Sequence, residues 1–104
     1  MSNPTVLPEI LAMSATDTVV TETFSDRKGS VIIENLDNTN PVWVTWDGSA
    51  PVASFGAGRY QLNAGKSLCL NYEDILVVKG ITTVGLTVEV QLLGYPTVGE
   101  RAST

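Results

Sequence analysis

A chain of 104 residues is long enough for one hydrophobic core and too short for two. Charged residues make up 16% of it, against roughly 25% in ordinary soluble domains. The net charge is −5, with only Arg27 and Lys28 adjacent among the basic residues, so no clustered positive surface is available for nucleic acid. No apolar run approaches the roughly 20 residues of a membrane-spanning helix, which argues against a membrane partner.

Met1 to Ala15 carries prolines at positions 4 and 8, with Val6, Leu7, Ile10, Leu11 and Met13 between and after them. No basic residue precedes an apolar stretch, so the segment does not read as a secretory signal, and the chain is expected to fold in the cytoplasm. It reads as an extended N-terminal arm whose apolar side chains need cover, either on the chain's own domain or on a neighbouring subunit. If the arm is separate, deleting Met1 to Met13 leaves the β domain folded and weakens assembly.

From residue 16 to residue 95 the pattern is that of a β domain. Thr18 to Phe24 and Ser30 to Leu36 are β-branched and alternating, and Ser25 to Gly29 between them has turn chemistry, which predicts a hairpin. Asp37 to Pro41 is a second turn, with polar side chains suited to bonding their own backbone. Val42, Val44 and Trp46 then share one face of a strand and Trp43 and Thr45 the other, which sends the two indoles to different sides.

Residues 47 to 58 form the longest stretch without periodicity, and loops of about a dozen residues often carry function. Phe55, flanked by small residues, is its expected anchor. Arg59 to Leu62 and Lys66 to Asn71, joined by Asn63 to Gly65, predict a second hairpin. Within it Cys69 sits between Leu68 and Leu70, and as the chain's single cysteine it reads as a small buried apolar side chain. Ile75 to Lys79 is apolar on both faces, as in a covered central strand ended by Gly80. In Gly85 to Leu93 the residues Leu86, Val88, Val90 and Leu92 alternate inward, and residues 96 to 104 read as a polar tail. The whole predicts an all-β antiparallel sandwich or barrel of about seven strands, with a jelly-roll connection as one form of it.

Chemistry is sparse. The chain has no histidine, which removes the commonest general base, the Ser-His triad and most transition-metal sites. No phosphate-binding glycine loop opens a helix. Asp47 with Glu73 and Asp74 are the nearest carboxylates to a catalytic or cation pair, and they read as solvated or turn-capping groups. Trp43, Trp46, Tyr60, Tyr72 and Tyr95 are the candidates for a sugar-stacking platform, against the plainer reading of core and edge residues. No enzyme, metal or cofactor is expected.

The segments Val31 to Asn35, Val42 to Pro51 and Gly56 to Leu68 together resemble small structural proteins of tailed bacteriophages, where a strand, an Asp-Gly loop and a Leu-x-x-Gly-x-Ser-Leu hairpin follow in order. The resemblance implies a virion component, in the first place a capsid decoration or cement protein. Such a protein sits on the capsid exterior as a homo-oligomer, often a trimer, and reinforces joints between copies of the major capsid protein. A head-tail connector, tail or fibre protein is the competing structural reading, and a carbohydrate-binding module is an alternative of another class. The candidate protein contacts are Val6, Leu7, Ile10, Leu11, Trp43, Phe55 and Tyr60.

Overall fold

A computed structural model describes residues 7–53 and 60–96, with only the backbone at 72 and 73. The described chain is all β. Its strands are β1 (Glu9–Ala15), β2 (Val20–Asn35), β3 (Val42–Thr45), β4 (Tyr60–Leu62), β5 (Ser67–Ile81) and β6 (Val88–Tyr95). They form one sheet in the order β1-β6-β2-β5-β3-β4, with every pairing antiparallel. Among the described residues the sheet is open at both ends, with no closure into a barrel, and it is a single sheet where a jelly roll would have two.

Two long strands make the fold. The N-terminal part of β2 (20–23) pairs with the C-terminal part of β5 (77–80), and its C-terminal part (30–34) pairs with the N-terminal part of β5 (67–71). The register shifts between Thr23 and Lys28 and again between Lys28 and Ser30. Here the sequence expectation is corrected: Ser25 to Gly29 is a bulged bend within one strand, where a hairpin turn was expected. Residues that favour a turn also tolerate a bulge, and β5 offers both halves of β2 a long partner. Residues 72–74 likewise continue β5, as does Gly80, which was expected to end it.

The bend folds the sheet over itself, so that β1 and β6 beside one half of β2 and β5 face the other half across a shared core. Close approaches record this. A methyl group on Gly80 of β5 would lie 2.6 Å from Met13 Sδ of β1, and one on Gly94 of β6 would lie 2.7 Å from Phe24 Cε1 of β2. Only glycine lets the two layers come so near. Met13, Ala15, Val31, Ile33, Val88 and Leu92 belong to one buried cluster, together with Val42, Val44 and Val78 of the opposite layer.

Residues 9–15, expected to belong to an arm, are thus an integral strand. β1 pairs with β6 from Glu9↔Gly94 to Ala15↔Val88, and Met13 and Ala15 have no solvent exposure. Of the two dockings left open, this part of the segment takes the first, on its own domain. Alternating Leu11, Met13 and Ala15 is the sequence pattern of a half-buried strand. The second hairpin is also revised. Lys66 N donates to Asn63 O at 3.0 Å, as a turn requires, but β4 pairs with β3 while β5 departs to β2.

Two polar clusters tie the layers at opposite ends. The buried Asn35 side chain donates from Nδ2 to Asn40 O and Leu62 O, both at 3.0 Å, and accepts from Asp37 N at 2.9 Å. One amide thereby satisfies backbone groups of the turn after β2 and of β4. Asp37 Oδ2 accepts from Thr39 N and Asn40 N, the local bonding expected of that turn. At the bend, Lys28 is buried to its ammonium, which meets Glu9 Oε1 at 3.0 Å and the Asp26 carboxylate. Glu9 also accepts from Ser25 N and from Ser25 Oγ at 2.7 Å.

Candidate functional site

Side chains of successive strand residues leave opposite faces of a sheet, so the registers decide which residues share a surface. Ile10 of β1 stands opposite Leu93 of β6, Leu93 opposite Ile32 of β2, and Ile32 opposite Cys69 of β5. One apolar row therefore crosses four strands. It lies on the outer face, because the adjacent row of Leu11, Leu92, Ile33 and Leu68 turns into the core. Ile10 is 60% exposed, Cys69 is exposed, and Ile32 and Leu93 are half-buried by their neighbours. Leu7, just before β1, is 75% exposed.

The next outer row, Ala12, Gln91, Glu34 and Ser67, is polar or small, and beyond it Ser14 Oγ donates to both Glu89 carboxylate oxygens at 2.9 and 3.0 Å. On the other side stand Tyr95, Ser30 and Asn71, with Ser30 Oγ donating to Asn71 Oδ1 at 3.0 Å. The apolar row is bounded on both sides by polar or small residues. An apolar centre within a polar margin is the anatomy of a protein contact surface.

The expected contact residues divide. Leu7 and Ile10 are exposed, and Ile10 begins the row. Leu11 is partly buried and packs on the core, on the opposite face from Ile10. Trp43 is a correction: it is only 2% exposed and offers no surface to a partner. Its neighbours Val42, Val44 and Thr45 are buried as well, so β3 is covered on both faces. Tyr60 is 39% exposed, with its ring edge-on to Trp46, centroids 6.0 Å apart. Val6 and Phe55 lie outside the described residues.

Cys69 is a second correction, since it is exposed where burial was expected. The signal was present: Leu70 faces the core and Leu68 packs against it, so strand alternation turns the residue between them outward. Ile32 and Leu93 were not singled out in the sequence, because their alignment with Ile10 depends on a strand order that periodicity does not reveal.

A groove of about 270 Å³ lies on the other half of β5, lined by Arg27, Trp46, Asp47, Gly48, Asp74, Leu76 and Val77. Arg27 Nη1 donates to Asp74 O at 3.3 Å and stands 3.8 Å from Asp74 Oδ2. Asp47 Oδ1 accepts from Ser49 Oγ at 2.6 Å and from Ser49 N at 3.0 Å. The Ser49 hydroxyl first, then its N–H, hold the Asp47 carboxyl below the ordinary aspartate range. Asp47 and Asp74 thus have the turn-capping and solvated roles expected of them. Among the described residues no three metal-ligating side chains converge.

Comparison with known proteins returns no matching family model, no matching curated protein and no matching solved structure.

Proposed function

We propose that this chain is a non-enzymatic virion structural protein, a capsid decoration or cement protein that binds the assembled shell of major capsid protein from outside. The observation that carries the reading is the outer-face apolar row Ile10, Leu93, Ile32 and Cys69, four strands wide and flanked on both sides by polar or small residues. Burying it removes apolar area from water without stranding a charge, at about 25 cal/mol per Å² of apolar surface. The resemblance of residues 31–35, 42–51 and 56–68 to tailed-phage structural proteins supplies the virion context, and the low charge content suits extended contact.

The mechanism is mass action. A protein that binds the assembled lattice better than its dissociated subunits shifts the equilibrium toward assembly, and association of several copies of this chain multiplies weak individual contacts. No bond is made or broken, in keeping with a chain that has no histidine and no phosphate loop.

Quantitative mass spectrometry of purified virions tests the assignment. A decoration protein is present at the repeating positions of the shell, in numbers comparable with the major capsid protein. A stoichiometry matching one ring or one tail would replace it with the connector, tail or fibre reading, and absence from the particle would reject both.

A further inference from the structure

We propose that the groove beside Trp46 binds a neutral hexopyranose sugar, a function separate from shell docking and built on other residues. The groove combines the three elements that recognise a sugar ring. Trp46 supplies an aromatic wall, half-buried and braced edge-on by the Tyr60 ring, on which the C–H face of a pyranose stacks. Leu76 and Val77 of β5 supply an aliphatic side. Planar polar groups, the Arg27 guanidinium and the Asp47 and Asp74 carboxylates, line it as well. Such fork-shaped donors and acceptors match the adjacent hydroxyls of a ring.

Charge selects among ligands. Among the described residues the lining holds one cation and two carboxylates, and the Lys79 ammonium donates to Gly48 O at 3.1 Å beside it. The cations Arg27 and Lys79 balance the carboxylates of Asp47 and Asp74. A phosphorylated ligand would face both carboxylates, and a basic side chain would face both cations. A neutral polyol meets neither penalty. Size agrees: about 270 Å³ lies just under the roughly 300–1,000 Å³ of sites for larger ligands, which suits a single ring.

The polar groups are held yet able to exchange partners. Arg27 and Asp74 side chains are 60% and 71% exposed, so their ion pair is weak and a hydroxyl can insert without breaking a buried contact. Both Ser49 bonds to Asp47 fall on Oδ1, which fixes the carboxylate while its second oxygen can accept from a ligand.

The test is titration of the full chain with glucose, galactose, mannose and N-acetylglucosamine, followed by amide and indole nitrogen–proton NMR. We expect at least one sugar to give saturable shifts at the Trp46 indole and at Gly48 and Val77, with the Trp43 indole unmoved. Asp47→Ala and Arg27→Ala alter exposed side chains and keep the fold, and each should weaken that binding by about tenfold, the loss of one charged hydrogen bond. Trp46→Ala should abolish it. Because Trp46 packs against the core, the two polar variants decide if the third does not fold. No saturable shift with any of the four sugars, or affinity unchanged in both polar variants, overturns the proposal. Shell docking rests on the opposite half of β5, so it should survive all outcomes in Asp47→Ala, and its failure would be read separately.

Discussion

Two adjacent rows of the same four strands have nearly the same composition and opposite fates. Leu11, Leu92, Ile33 and Leu68 face inward, where Leu92 and Ile33 lose all contact with solvent. One residue along each strand, Leu93 and Ile32 face outward with Ile10 and Cys69. Period-two geometry makes this inevitable in a run that is apolar at consecutive positions. The inner row is explained by the fold. The outer row is not, and it is the surface on which the proposed docking rests.

Variants that separate the rows sharpen the comparison. The largest effect is expected from deleting residues 1–13. The deletion removes most of β1 with Leu11 and the fully buried Met13, whose truncation to alanine alone would cost about 2–5 kcal/mol. The shortened chain should lose its cooperative melting transition by circular dichroism, the reverse of what a separate arm would give. A chain that still melts cooperatively would return β1 to the status of an appendage.

Next comes a matched pair in β6. Leu92→Ala should destabilise by about 2–5 kcal/mol in urea unfolding, and Leu93→Ala by less than about 1 kcal/mol. Equal losses would mean that the two faces are not distinct. Asn35→Ala should cost about 1–3 kcal/mol, because it leaves Leu62 O and Asn40 O without their donor. Asn35 stands beside Val90 on the inner face, so its loss also reports on the inner surface.

The smallest effect is on pH dependence. Hydrogen bonds from the Ser25 hydroxyl, then Lys28, then the Ser25 N–H hold Glu9 below the ordinary glutamate range. For Lys28, burial pulls its pKa down, but the bonds to Asp26 and Glu9 outweigh it and hold the ammonium above the ordinary lysine range. A depressed carboxyl contributes stability that is full above its unfolded pKa and is lost as pH falls through the folded one. A raised lysine contributes below its unfolded pKa and loses that as pH rises through the folded one. Melting temperature should therefore fall on the acid side through the titration of Glu9, and Glu9→Gln should flatten that fall. An acid limb unchanged in Glu9→Gln would place the dependence on other carboxylates.

How much could be read beforehand follows the same geometry. Val88, Val90 and Leu92 were legible as an inward face because strict alternation has one structural meaning, and the Asp37 turn was legible from its own side chains. The bends at 25–29 and 72–74 were not, since turn and bulge draw on the same residues and only the distant pairing of β2 with β5 distinguishes them. The candidate surface was half visible. Leu7 and Ile10 stood out as apolar residues lacking an evident place, but Ile32 and Leu93 join them only through the order β1-β6-β2-β5. Trp43 misled because alternation sends the two indoles of residues 42–46 to different faces and so offers one of them to a partner, whereas β3 is buried on both faces.

The most direct test uses Leu93→Lys with Ile32→Thr, two outward substitutions on neighbouring strands. The double variant should melt close to the wild-type chain and fail to co-sediment with assembled shells stripped of the native protein. Undiminished co-sedimentation by a folded double variant would contradict the claim that this row is the docking surface.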